Sequence, residues 1–309
     1  MFETGLEVLC THSSCVDFAL KGSDLRLRVE AHAPGVFRLR CATARALDPD
    51  KTTPKALRHA DLLLSRHEAV GELACDALDD GAGWRLTQGD VVLRLDLAAQ
   101  VIQLWRNDQM VLETLPGGLV MQLGGDLPHW QLGIQLAENE GVFGLGETLG
   151  DLDRRGTRLV SDHPGARVLP LAWSPRGWGL YINTLDRVVH DVAVDADLYQ
   201  LDVAGPQFDG FLFAGDPSEI LNQYTALTGR AGQPGLWPLG LWLDQAPGQS
   251  AAGSTHQIRA LREHGLALDV LSLATPAAIG FQADKPVFEW ADRLPEWREF
   301  SAACAALDI

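Results

Sequence analysis

The chain has 309 residues, enough for two domains or one large domain, and a hydrophobic content of 46% that excludes a disordered polymer. Its 25 Lys and Arg against 41 Asp and Glu give a formal net charge of −16 at pH 7. This is the wrong sign for neutralising phosphates, so we expect neither nucleic acid nor an anionic membrane surface as a partner.

The first residues, MFETGLEVLCTHSSC, contain neither the basic nor the continuous apolar region of a signal peptide. No stretch of the chain approaches the ~20 apolar residues of a membrane helix. The five cysteines are odd in number and widely scattered, and no pair has the two-residue spacing of metal or redox motifs. We therefore expect a cytoplasmic protein with no metal site and no cofactor.

Short runs of alternating apolar and polar residues fill the chain up to about residue 230. They read DLRLRVEA, GVFRLRC, WRLTQ, VVLRLDL, VIQLWRN, GLVMQL, GLYINT, YQLDV and GFLFAG, with glycine- and proline-rich turns between them. A period of two between such turns predicts an antiparallel β-sandwich with one buried face per strand. The polar, proline-interrupted stretch from Ala44 to Arg58 is predicted to be a surface loop or the rim of a strand.

The pattern changes after Gly205. DPSEILNQYTALTGR predicts a helix that begins after Asp216 and ends at Gly229. PLGLWLDQ then predicts a buried strand, SAAGSTHQIRALREHG a helix that ends at Gly265, and LALDVLSLA a second buried strand. A strand, helix and strand in this order indicate a parallel α/β sheet or barrel, and residues 288–309 are expected to hold its next helical stretch.

Three segments together resemble glycoside hydrolase family 31, the retaining α-glucosidases and α-xylosidases. They are GVFGLGETLGDLDRRG at residues 141–156, the stretch from DGFLFAGDP through QYTALTGR to PLGLWLDQ, and REHGLALDVLSL. The resemblance extends from about residue 81 to residue 298. It implies a multidomain protein, β then α/β: a galactose-mutarotase-like antiparallel β-sandwich with a linker helix at residues 1–232, followed by an incomplete TIM barrel at residues 233–309.

The same resemblance implies that no catalytic residue lies in this chain. Retaining glycosidases use two carboxylates about 5–5.5 Å apart, and in this family both lie on later barrel strands. A complete TIM barrel needs roughly 250 residues, and residues 233–309 supply only its first units. We therefore expect the chain to be the truncated amino-terminal portion of a longer enzyme, hydrolysing nothing by itself.

Asp162, in TRLVSDHPGA, matches the aspartate of the family's loop that reaches from the sandwich into the sugar pocket. The resemblance therefore implies that Asp162 binds substrate hydroxyls, to which a carboxylate makes charge-assisted hydrogen bonds. From spacing alone, the favoured interpretation is a turn aspartate before His163 that caps local backbone amides.

Two further positions follow from the rule that function in barrels lies at the carboxyl ends of the strands. Asp244 ends the first predicted barrel strand and is a candidate for the pocket, whereas Asp269 begins the second strand and is expected to be structural. Trp242 projects to the same side as Asp244, where an aromatic ring can stack on a sugar. From the residue type alone, a tryptophan of the core is the favoured interpretation of Trp242.

The acidic run formed by Glu147, Asp151 and Asp153 lies beside Arg154 and Arg155. It is predicted to be a solvated hairpin whose carboxylates pair with those arginines, rather than a catalytic carboxylate pair. The run of glycines at Gly144, Gly146 and Gly150 has the wrong spacing for a dinucleotide site.

The sequence departs from the family after the second strand, where one or more sugar-binding aspartates are expected. The residues there read LSLATPAAIGFQADK, with no carboxylate before Asp284. Either a longer loop around Asp284 compensates, or the substrate differs from plain glucose, or activity has been lost. In FEWADRLPEW, residues 294–296 replace the Phe-Pro-Asp of the family phrase.

The first functional hypothesis is thus the amino-terminal portion of a retaining α-glycosidase acting on an oligosaccharide or α-glycoside. The second is a non-catalytic carbohydrate-binding sandwich, or a degenerate or truncated family member. A third is a mutarotase-like epimerase, which needs a histidine and a carboxylate in one cleft; His129, His163 and His190 are available, and their spacing selects none. The sugar, the linkage and formation of a homo-oligomer are left open.

Overall fold

A computed structural model describes residues 5–48, 63–65, 68–78, 81–122, 128–148, 150–162, 167, 169–246, 249–273 and 297–309. The chain divides into two compact units, residues 1–230 and 231–309. Within the described ranges, no helix is both long and apolar enough to cross a membrane.

The first unit is built almost entirely from β-strands. In chain order they are β1 (Leu6–Thr11), β2 (Cys15–Leu20), β3 (Leu25–Ala33), β4 (Val36–Thr43), β5 (Ala74–Ala77), β6 (Gly83–Gln88), β7 (Val91–Asp96), β8 (Val101–Arg106), β9 (Gln109–Gln122), β10 (His129–Gln135), β11 (Phe143–Gly144), β12 (Thr157–Val160), β13 (Leu171–Ser174), β14 (Trp178–Ile182), β15 (Val188–Val192), β16 (Leu198–Ala204) and β17 (Phe208–Ala214). A short helix α1 (Ala44–Leu47) follows β4, and a longer helix α2 (Pro217–Thr228) follows β17.

These strands form two antiparallel sheets. One has the order β1-β2-β3-β4-β17-β14-β13-β11, and the other has the order β12-β15-β16-β10-β9-β8-β7-β6-β5. The main cluster of buried apolar side chains takes Phe18 and Phe37 from the first sheet and Leu93 and Trp130 from the second. The predicted antiparallel β-sandwich is therefore confirmed, and alternation along each strand gives the sheets an inner and an outer face.

A buried ion pair joins β4 to β17, two neighbouring strands that are far apart in the chain. The Arg38 guanidinium donates to both carboxylate oxygens of Asp209 at 2.8 and 2.7 Å, and Asn183 donates to the same carboxylate at 2.7 Å. The Arg38 guanidinium also lies 5.1 Å from the centre of the Phe211 ring. These contacts satisfy the charges that the centre of this sheet buries.

The prediction of a loop at Ala44–Arg58 is wrong at its beginning. Residues 44–47 form helix α1, because Ala46 and Leu47 are buried in a small apolar cluster with Ala42. Pro49 to Arg58 lie outside the described residues.

Helix α2 forms where the sequence predicts it. Asp216 is the N-cap residue: its carboxylate accepts from the Glu219 amide at 2.9 Å, and the Glu219 carboxylate accepts from the Asp216 amide at 2.7 Å. This reciprocal pair is a capping box, and Gly229 ends the helix. Ile220 and Leu227 are the buried side chains of the helix.

The second unit contains a parallel strand pair, β18 (Leu241–Asp244) and β19 (Leu268–Ser272), connected by helix α3 (Ala251–Glu263). A 3₁₀ turn at Trp237–Leu239 precedes β18, and helix α4 (Trp297–Ala305) lies near the end of the chain. Both predicted strands and the predicted helix are present. The prediction that β18 is buried is wrong, since three of its four side chains are exposed. The core of this unit consists of Ile258, Leu268, Phe300 and Cys304, with half-buried neighbours.

Candidate functional site

Asp162 lies two residues after the end of β12. Ser161 continues the antiparallel ladder, since its amide donates to the Val188 carbonyl at 2.9 Å and its hydroxyl accepts from the Val188 amide at 2.9 Å. The Asp162 carboxylate is 59% exposed, and its Oδ2 lies 3.5 Å from Nε of Arg187. The turn of His163, Pro164 and Gly165 lies outside the described residues. Asp162 is therefore an exposed carboxylate beside one arginine, held by the end of a sheet.

The carboxylates of the acidic run after β11 do not pair with Arg154 and Arg155, so that part of the prediction is wrong, whereas Glu147 and Asp151 are exposed to solvent as predicted. Arg154 is buried and donates to the carbonyls of Gly144 and Gly146 at 3.1 and 3.2 Å, while Arg155 pairs with Asp197. Asp153 accepts from two backbone amides, those of Val142 and Arg155, at 3.1 Å each. The run is therefore a folded loop held by hydrogen bonds between side chains and its own backbone, since buried carbonyls need donors.

Two of the glycines in this loop are required by the close approach of another chain segment. Gly144 and Gly146 have φ angles of +97° and +83°, where side chains are strained. A Cβ atom would stand 2.4 Å from the Leu171 carbonyl oxygen at the first position and 2.0 Å from the Arg167 carbonyl oxygen at the second. The glycines therefore serve packing of the loop, which accounts for them without a nucleotide.

Trp242 and Asp244 both lie on β18, in the second unit. Trp242 is 51% exposed, donates its indole N–H to the Pro238 carbonyl at 2.9 Å, and stacks on Trp237 with the ring centres 6.5 Å apart. A core position for Trp242 is therefore wrong for this chain. Asp244 is exposed at the carboxyl end of the strand. Both side chains are open to a ligand.

Asp269 has the structural role that the sequence predicts. Its carboxylate accepts from the Leu241 amide at 3.1 Å, at the beginning of β18. A Cβ atom on Gly240 would stand 2.0 Å from the same carboxylate. At the other end of the strand, the buried Gln245 donates to the Ser254 hydroxyl at 2.9 Å and fastens β18 to α3. Hydrogen bonds therefore hold β18 at both ends, and Asp244 precedes Gln245 in the chain.

A cavity of about 590 Å³ opens on the outer face of the nine-stranded sheet, and we call it the outer-face cavity. Of the three histidines available to the epimerase hypothesis, His129 lines this cavity, and its Nδ1 lies 2.8 Å from Oδ1 of Asp202. His190 is instead buried in the core, where its Nδ1 lies 2.7 Å from the Tyr199 hydroxyl. His163 lies outside the described residues.

Sequence reasoning missed the other polar residues of the outer-face cavity, namely Gln131, Arg158, Arg187, Asp191, Gln200 and Asp202. They come from β10, β12, β15 and β16 and from the residue before β15, and each strand by itself shows only the usual polar outer face of a sandwich. The strand order of the sheet brings them together, and that order cannot be predicted from the sequence of any single strand.

Desolvation lowers the pKa of the buried His190 from its ordinary value near 6.5 to about 4. This imidazole is therefore neutral in the folded protein at neutral pH. Within the described ranges, no group of three His, Cys, Asp or Glu side chains is placed to hold a metal ion. Asp284 and residues 294–296, where the sequence departs from the family, lie outside the described residues.

Sequence comparison finds relatives among α-glycosidases. An α-xylosidase of Emericella nidulans is 27% identical over 120 residues, and α-glucosidase 2 of Bacillus thermoamyloliquefaciens is 30% identical over 119 residues. These stretches cover 36% and 33% of this chain, and 15% of each relative. No family model matches the chain.

Comparison of folds finds similar structures over nearly the whole chain. A Flavobacterium johnsoniae family 31 dextranase complexed with glucose has a TM-score of 0.75 and 18% identity, over 97% of this chain and 37% of its own. A soil-metagenome family 31 α-xylosidase complexed with xylose has a TM-score of 0.75 and 15% identity, over 98% of this chain and 46% of its own. The Xanthomonas citri family 31 α-xylosidase has a TM-score of 0.74 and 11% identity, over 97% of this chain and 49% of its own.

The chain thus spans less than half the length of each of these solved enzymes, and its own fold is matched almost completely. The sequence similarity to an α-xylosidase and an α-glucosidase points to the same enzymes as the fold does. Together they confirm that this chain resembles a part of the α-glycosidases of glycoside hydrolase family 31.

Proposed function

We propose that this chain is the amino-terminal portion of a retaining α-glycosidase that resembles those of family 31. The observation that carries the proposal is a fold matched over 97–98% of this chain in enzymes more than twice its length. In this proposal β18, α3 and β19 are the first units of a TIM barrel, and the two catalytic carboxylates lie on later strands of that barrel. A cytoplasmic location belongs to the proposal, and the five free cysteines support it.

In the proposed enzyme, three residues of this chain bind substrate. Asp162 accepts hydrogen bonds from sugar hydroxyls, for which its exposed carboxylate is suited. Asp244 does the same from the carboxyl end of β18, and Trp242 offers the face of an exposed indole to the apolar side of a sugar ring. No general acid, general base or nucleophile is assigned to these residues.

The proposed substrate is a terminal α-linked glucoside or xyloside. The relatives are an α-glucosidase and an α-xylosidase, and solved structures of similar fold hold glucose or xylose. The choice between the two sugars depends on contacts to the carbon-6 hydroxymethyl group, which xylose lacks.

The test has two parts. The purified 309-residue chain is assayed with 4-nitrophenyl α-glucoside and α-xyloside, and we expect no turnover. The longest natural gene product that contains this sequence is then assayed with the same substrates, and the anomer first released is identified by NMR. Retention of the α-configuration is expected, and inversion would contradict the proposed double-displacement mechanism.

Substitution of Asp162 separates binding from folding in the active longer protein. Asp162→Asn removes the charge and keeps the shape, so kcat/KM should fall about tenfold or more, because a hydrogen bond to a charged group contributes roughly 1.5–3 kcal/mol. The exposed Glu147→Gln is the matched control and should leave kcat/KM unchanged. Turnover by the 309-residue chain alone, or an unchanged kcat/KM in Asp162→Asn, would contradict the assignment.

The alternative function is a non-catalytic carbohydrate-binding sandwich or a degenerate family member. It predicts sugar binding without turnover even in the longest gene product. The epimerase hypothesis has weaker support, although His129 lies with Asp191 and Asp202 in one cavity, because the relatives and the solved structures named above are glycosidases.

A further inference from the structure

We propose that the outer-face cavity of the nine-stranded sheet is a second carbohydrate-binding site, which takes a neutral oligosaccharide. The cavity lies wholly in the first unit, between β9, β10, β12, β15 and β16. It is separate in sequence from Trp242 and Asp244, but its Arg187 lies 3.5 Å from Asp162, so the cavity borders one of the proposed substrate-binding residues. Its volume of about 590 Å³ lies in the range of about 300–1,000 Å³ usual for ligand sites.

The polar lining is an organised network rather than a set of separate surface side chains. One carboxylate oxygen of Asp202 lies 2.8 Å from Nδ1 of His129, and the other accepts from the Gln131 amide at 3.1 Å. The Gln131 carbonyl in turn accepts from Gln122 at 2.7 Å. His129 and Asp202 are only 33% and 31% exposed, so the network is held in place before a ligand arrives.

Register explains why these side chains converge. Gln131 of β10 stands directly opposite Asp202 of β16, and Asp191 of β15 stands directly opposite Arg158 of β12. Since alternate residues of a strand share a face, one layer of the sheet presents amide, carboxylate, imidazole and guanidinium groups together. Such a mixture of donors and acceptors matches the vicinal hydroxyls of a sugar.

The charges of the lining balance. The lining contains two guanidinium groups, those of Arg158 and Arg187, and two carboxylates, those of Asp191 and Asp202. Arg187 also lies beside Asp162. A site for a phosphate or a carboxylate ligand needs an excess of positive charge, which this lining lacks. The balance favours an uncharged ligand rich in hydroxyl groups.

The cavity also has an apolar side, formed by Leu115, Val120 and Val189. Gly133 makes room for Leu115, because a Cβ atom on this glycine would stand 2.8 Å from Cδ1 of Leu115. Sugar rings carry C–H groups on their faces and hydroxyls at their edges, so a site for them needs both kinds of surface. The outer-face cavity provides both within one concavity.

The test is a titration of the 309-residue chain with maltotriose and with isomaltotriose. Binding is measured by calorimetry and by NMR signals of the sugar. Gln131→Ala removes one member of the network, and we expect the affinity for the bound trisaccharide to fall about tenfold. Gln103→Ala is the matched control: Gln103 also donates to a carboxylate across a strand pair, that of Glu113 at 2.6 Å, but it lies outside the cavity. The affinity of Gln103→Ala for the trisaccharide should equal that of the wild type.

A second control, Trp242→Ala, distinguishes this site from the proposed barrel pocket. Binding that persists in Gln131→Ala and is lost in Trp242→Ala would overturn the outer-face site while supporting the proposed function. Absence of binding by either trisaccharide would overturn the outer-face site outright. Displacement of the sugar by an equal concentration of inorganic phosphate would also overturn it, since the balanced charges predict no competition.

Discussion

At the scale of single residues, some polar side chains of the sandwich are buried with partners in the core, and others lie in the outer-face cavity. Inside, the buried Glu140 carboxylate has two specific donors: it accepts from the Ser174 hydroxyl and the Trp178 indole, both at 2.7 Å. Outside, the polar groups that line the outer-face cavity are only partly exposed and remain open to a ligand. The first set stabilises the fold, because an unpaired polar group in the core costs free energy.

His190 makes the stability of the fold depend on pH. Burial lowers its pKa to about 4, whereas the unfolded chain has the ordinary value near 6.5. Between these two pH values the unfolded state binds more protons than the folded state. The contribution of the neutral His190 to the free energy of unfolding is therefore complete above pH 6.5 and is lost as the pH falls toward 4. The shift corresponds to about 3 kcal/mol in the free energy of unfolding.

The measurement is urea unfolding of the wild type and of His190→Gln at several pH values between 4 and 7. As the pH falls across this range, we expect the free energy of unfolding to decrease more in the wild type than in His190→Gln, by about 3 kcal/mol. The exposed His12→Gln is the control and should follow the wild type. Parallel pH curves for wild type and His190→Gln would show that this imidazole is not buried in its neutral form.

Residue identity alone predicted some of these positions and not others. The structural role of Asp269 follows from its place at the beginning of a strand, and the contact to Leu241 confirms it. The pairing of Asp153 with its neighbouring arginines was wrong, because proximity in sequence does not reveal which carbonyls a loop will bury. His129 could not be selected, because its partner Asp202 is 73 residues away.

At the scale of elements, local signals predicted helices well. Helices α2 and α3 begin at side chains that cap them, Asp216 and Ser250, and both were predicted. Strands with clear alternation, such as β3 and β7, were predicted for the same reason. The short strands β11 and β13 were not, because they have only two and four residues and are fixed by ladder partners.

The capping box of α2 gives a prediction at this scale. Asp216→Ala removes the acceptor for the Glu219 amide, so the free energy of unfolding of the first unit should fall by about 1 kcal/mol. Ser218→Ala, an exposed change in the same helical turn, is the matched control and should have little effect. Thermal unfolding monitored by circular dichroism makes the comparison, and equal losses in both variants would contradict the role of the cap.

At the scale of the whole molecule, the two units differ in the size of their cores. The first unit buries apolar side chains from both sheets, whereas the second buries only four in its described part. Free energy from apolar burial grows with the buried area, so the second unit should be the less stable of the two. The sequence predicted a change from β to α/β organisation, but nothing in it indicated that β18 would be exposed.

We therefore expect unfolding in two steps. Hydrogen exchange in increasing urea should release the amides of α3 and β19 while those of β4 and β17 remain protected. Ile258→Ala leaves a cavity in the smaller core and should lower only the first transition. Simultaneous loss of protection in all four elements would contradict the expectation.

The exposed stack of Trp237 and Trp242 differs in solvent exposure, and so in fluorescence, from the buried tryptophans of the first unit. These two indoles are 61% and 51% exposed, whereas Trp130 and Trp178 of the first unit are each 1% exposed. A dissolved quencher such as iodide reaches the first pair and not the second, and emission from the second pair lies at shorter wavelength. Iodide quenching therefore reports mainly on the exposed stack of the second unit, above a smaller contribution from the half-buried Trp84, Trp105 and Trp173 of the first unit.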